Sequence, residues 1–69
     1  KDGAYPIAFN AANEIAAWRF IDGACSFPAI SDTVAAVMAR DWSGGISSMD
    51  DVFAADAEAR RLAKEALAS

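Results

Sequence analysis

Apolar residues recur in three blocks with helical spacing, separated by polar stretches marked by glycine. The first block predicts a helix from about Asn10 to Ile21 or Asp22. Ala11, Ile15 and Trp18 line one stripe at i, i+4, i+7, and Phe9, Ala12, Ala16 and Phe20 line a second. At about 100° per residue the two stripes stand roughly 140° apart. A helix that is apolar on two sides needs neighbours on both. Asn10 is placed to cap its first turn, and Gly23 falls where a left-handed residue would stop it.

Ser26-Phe27-Pro28 announces the second helix. Ser26 or Phe27 occupies the cap position, and Pro28 falls in the first turn, where its missing N–H costs nothing. Ile30, Val34, Val37 and Met38 make its apolar face. Asp41-Trp42-Ser43-Gly44-Gly45 then breaks the period, and on composition it reads as the most flexible interior segment. Ser47 or Ser48, followed three residues later by Asp50 or Asp51, is a capping box with Asp in place of Glu. The third helix follows, with Val52, Ala55, Ala59, Leu62 and Ala66 on its inner side. Acids crowd its first turn and Arg60, Arg61 and Lys64 its second half, which complements the helix dipole. Asp56–Arg60 and Arg61–Glu65 are i, i+4 partners on the wet side.

No strand is required anywhere, so the predicted fold is all-α: a small three-helix bundle. Of the 69 residues 18 are alanine, which leaves only 19 bulky apolar side chains. A chain this short makes one domain with little interior, too small for a cofactor-binding domain and a substrate site together. Alanine faces bury little area at about 25 cal/mol per Å², so the bundle is expected to lean on something else. Residues 1–6 are available as a linker. A start at Lys1 rather than Met fits a processed product or a piece cut from a longer chain.

Six basic against ten acidic residues and no histidine give a net charge of −4. Nucleic-acid binding needs clustered cations, and Arg60, Arg61 and Lys64 are interleaved with Glu58 and Glu65. An anionic membrane surface is disfavoured for the same reason. The longest uncharged run, Gly3–Asn13, contains Pro6 and is too short to span a bilayer. No export signal is recognisable within the segment. Cys25 alone can form neither an internal disulfide nor a cysteine-based zinc site, and as a nucleophile it would lack a histidine base.

Three groups invite a chemical reading. Asp50, Asp51 and Asp56 suggest a metal site, yet on a helix Asp50 and Asp56 differ by roughly 240° and Asp51 and Asp56 by roughly 140°. Capping and solvation account for them better, and no metal ligand is assigned. Asn10, Asn13 and Glu14 could hold a ligand group at a helix start, or simply cap the helix. Trp18 lies on an apolar stripe and reads as core or domain interface, while Trp42 is placed to cover the mouth of the bundle. Gly44-Gly45 lacks the lysine and the preceding strand of a phosphate loop. No catalytic, cofactor-binding or metal residue is assigned in this chain.

The order of the segments is more telling than any one of them. Asn10-Ala11-Ala12-Asn13-Glu14-Ile15-Ala16, Phe20-Ile21-Asp22-Gly23, Phe27-Pro28-Ala29-Ile30 and Asp50-Asp51-Val52-Phe53-Ala54-Ala55-Asp56-Ala57-Glu58-Ala59-Arg60 follow one another with compatible spacing. Together they resemble the C-terminal part of 1-deoxy-D-xylulose 5-phosphate reductoisomerases, from about Tyr5 to the end. The resemblance implies an enzyme converting 1-deoxy-D-xylulose 5-phosphate to 2-C-methyl-D-erythritol 4-phosphate on the non-mevalonate isoprenoid route. It further implies a cytoplasmic homodimer using NADPH and a divalent metal (Mn, Mg or Co), both held by domains outside this segment. The family's bundle begins with a helix upstream of Tyr5. The chain is therefore expected to be a four-helix bundle lacking its first helix, a non-catalytic arm inactive alone, with the remaining domains of the enzyme as its partner. Self-association through an exposed apolar face is a further expectation for the fragment.

Two other classes of function compete. An acidic three-helix interaction module would bind a partner helix tightly while remaining a stable monomer. A stand-alone hydrolase would need Glu14 or Asp56 to approach another acid in a pocket.

Overall fold

In the computed structural model, residues 3–68 are described. They form three helices: α1 (Tyr5–Ile21), α2 (Phe27–Met38) and α3 (Met49–Ala68). There is no strand among the described residues. Each helix packs on the other two, giving an all-α bundle of 37 × 19 × 16 Å.

The start of α1 corrects the expectation. The helix begins at Tyr5, so Asn10 lies within it and makes no cap. Pro6 sits in the first turn, where a fixed φ suits the helix and a missing N–H is harmless. Ala4 holds the N-cap position without a side-chain bond. Its N–H instead donates to the Trp42 carbonyl at 2.7 Å. Gly3, at φ +58°, turns the chain into this contact. Gly3 to Pro6, within the stretch available as a linker, thus belong to the turn and to α1; Lys1 and Asp2 lie outside the described residues.

The end of α1 is as expected. Gly23 is left-handed at φ +77°. The Ala24 N–H reaches back to the Arg19 carbonyl at 2.8 Å and the Gly23 N–H to the Phe20 carbonyl at 3.0 Å, the two bonds of a Schellman closure. Ser26 is the N-cap of α2, with extended backbone and no side-chain cap bond, and Pro28 follows in the first turn.

The box before α3 forms with a one-residue offset. Ser48 Oγ accepts from the Asp51 N–H at 3.3 Å, whereas the Asp51 carboxylate accepts from the N–H and hydroxyl of Ser47 at 2.9 and 3.0 Å. Replacing Ser48 with Ala should lower stability by about 1 kcal/mol, the usual cost of losing a hydroxyl cap. Urea unfolding followed by circular dichroism checks this; an unmoved midpoint would show that the cap contributes nothing.

The interior is built mainly from methyl groups. Seven of the ten buried apolar residues are alanines, namely Ala4, Ala8, Ala11, Ala12, Ala16, Ala59 and Ala63, so the helices approach closely. Val37, Leu62 and Trp42 supply the bulk. Tyr5, Ile15, Val34, Met38 and Ala55 seal the edges. The two stripes of α1 divide by size rather than by side. Their alanines face the core, but Phe9, Phe20 and Trp18 are 48%, 41% and 58% exposed. Trp18 is therefore not a core residue of this bundle.

The segment between α2 and α3 is tied down at one point. Trp42 is buried, and its indole N–H donates to the Val37 carbonyl at 2.8 Å. Its own carbonyl takes the Ala4 N–H. Asp41 accepts from the N–H and hydroxyl of Ser43 at 2.9 and 2.6 Å. A loop that looks loose by composition is thus anchored through the buried Trp42 ring, which belongs to the core.

Candidate functional site

The residues singled out for chemistry do not converge on one centre. Asp50 is exposed at the start of α3, Asp51 serves the Ser47–Ser48 cap, and Asp56 pairs with Arg60 a turn further on. Among the described residues no group of three His, Cys, Asp or Glu side chains is arranged to hold a metal ion. Asn10 and Asn13 are exposed on the second and third turns of α1, beyond its first turn. Cys25 is half-buried, with its thiol donating to the Ala16 carbonyl at 3.7 Å. An open groove of about 520 Å³ beside it is lined by Ala29, Asp32, Thr33, Ala36, Ala66 and Leu67, a set without a histidine to activate a thiol.

Glu14 has a partner that sequence spacing does not reveal. Arg60 Nη2 donates to Glu14 Oε1 at 2.7 Å, while Arg60 Nε donates to Asp56 Oδ2 at 2.8 Å. One guanidinium thus bridges α1 and α3 and separates the two acids. The Arg60 hydrogen bond, then its charge, holds the Glu14 carboxyl below the usual glutamate range, with a smaller contribution from Trp18. Glu14 thus meets a guanidinium rather than a second acid, the geometry of an ion pair and not of a paired-acid site. Arg61 makes a parallel set on the outer face, with both Glu58 oxygens at 3.0 and 2.6 Å and Glu65 at 2.5 Å.

These pairings give the bundle an acid limit of known sign. Glu14, Asp41, Asp51 and Glu58 all have lowered pKa values, caused by Arg60, Ser43, Ser47 and Arg61 respectively. Each group binds fewer protons folded than unfolded as it titrates, so its contribution is complete above about pH 5 and lost as the pH falls through the folded value. The thermal midpoint should fall from about pH 6 to about pH 3, and a Glu14→Gln, Asp51→Asn double variant should fall less steeply. An identical acid slope in that variant would contradict the assignment.

The Glu14–Arg60 pair also joins two blocks of sequence. Asn10–Ala16 supplies Glu14 together with buried Ala11, Ala12 and Ala16; Asp50–Arg60 supplies Arg60, its positioning partner Asp56 and buried Ala59. The two meet through methyl groups inside and an ion pair outside. The family model described as the DXP reductoisomerase C-terminal domain matches residues 1–62. The chain belongs to that family.

Within the DXP reductoisomerase C-terminal domains, named relatives extend the match. The 1-deoxy-D-xylulose 5-phosphate reductoisomerase of Corynebacterium jeikeium is 46% identical over 69 residues, covering 97% of this chain and 17% of that protein. Its counterpart from Burkholderia multivorans is 47% identical over 68 residues, covering 99% and 17%. That from Rhodococcus jostii is 45% identical over 65 residues, covering 91% and 16%. The chain therefore spans 16–17% of the length of these relatives. No solved structure matches it. No helix among the described residues is long and apolar enough to cross a membrane.

Proposed function

We propose that this chain is the non-catalytic helical arm of an enzyme that rearranges 1-deoxy-D-xylulose 5-phosphate and reduces it with NADPH to 2-C-methyl-D-erythritol 4-phosphate, in non-mevalonate isoprenoid biosynthesis. The match to relatives bearing that enzyme's name, along a small fraction of their length, is the observation that carries the reading. The whole enzyme would be a cytoplasmic homodimer, with the arm packed against its other domains and a further helix of the same protein completing a four-helix bundle.

The surface supports this placement. Trp18, Ile21 and Phe27 are 58%, 67% and 69% exposed, and Phe20 and Phe27 stack edge to face at 5.5 Å around the α1–α2 turn. Exposed aromatic rings on a small domain mark surface suited to contact with another domain. Nicotinamide nucleotide and divalent metal (Mn, Mg or Co) would be bound elsewhere in the protein. The residues here do not suit them: there is no histidine or glycine-rich phosphate loop, and Asp50, Asp51 and Asp56 diverge.

Two assays test the proposal together. The whole protein carrying this segment should oxidise NADPH when given Mn²⁺ and 1-deoxy-D-xylulose 5-phosphate. The 69-residue chain alone should give no turnover under the same conditions. Turnover by the isolated chain would overturn the non-catalytic role, and failure of the whole protein would overturn the reaction.

A further inference from the structure

We draw no further inference here: the strongest candidate, the exposed apolar patch at the α1–α2 turn formed by Trp18, Ile21 and Phe27, carries nothing because nothing in the structure shows what covers it.

Discussion

Replacing Trp42 with Ala should abolish or nearly abolish cooperative unfolding of the domain. Removing a buried indole costs about 3–5 kcal/mol through lost burial and the cavity left behind. A 69-residue chain has in total about 3–10 kcal/mol of stability, at about 0.05–0.15 kcal/mol per residue. Few other side chains could absorb the loss, since Val37 and Leu62 are the only other bulky residues in the buried core among the described residues. Trp42→Phe separates the ring from its N–H. It keeps most of the apolar area, and the Val37 carbonyl retains the Arg40 N–H at 3.1 Å, so no acceptor is orphaned. A cost of about 1 kcal/mol is expected there. Urea unfolding monitored by far-ultraviolet circular dichroism reads both variants. An unchanged midpoint in Trp42→Ala would show that the ring does not hold the bundle together.

The second large effect is expected at Gly3. A Cβ built there would lie 2.4 Å from the Trp42 carbonyl oxygen and 2.9 Å from the Ser43 backbone, on a residue with φ +58°. Left-handed backbone costs a side-chain-bearing residue about 1–2 kcal/mol. Forcing atoms into occupied space adds about 1–3 kcal/mol. Gly3→Ala should therefore destabilise by about 2–5 kcal/mol, because these neighbours are main chain and cannot swing aside. Gly23 isolates the backbone contribution: its φ is +77°, yet nothing lies within 4 Å of its Cβ position. Gly23→Ala should cost only about 1–2 kcal/mol. Thermal unfolding of the two variants side by side checks the difference. Equal losses would mean that the approach of Gly3 to Trp42 is not tight in solution.

What the sequence reveals here is mostly local. Gly23 ends α1 and Ser48 with Asp51 opens α3 because each device is complete within a few residues. Asp56–Arg60 is legible for the same reason, one turn apart on one helix. The start of α1 is not, because Ala4 has no capping side chain and its N–H is satisfied by a carbonyl 38 positions later. Pro6 offered the missing signal, of the same kind that Pro28 gives for α2. Periodicity places Trp18 and the alanines on common stripes, but it cannot tell which members of a stripe turn inward. Close helix contact selects the small ones and leaves the aromatics on the flanks. Glu14 is similarly opaque: its partner is 46 residues away, and only the packing of α1 on α3 brings Arg60 to it. The family, in contrast, is legible from the order of four short segments.

The alanine-paved interior has a consequence for how such a domain can change over time. Ala8, Ala12, Ala16, Ala59 and Ala63 are all fully enclosed, so a larger residue at any of them displaces an entire helix rather than one side chain. Divergence is thereby channelled outward, to the overhanging rings and the charged rows, where a substitution alters what the domain touches without disturbing its frame.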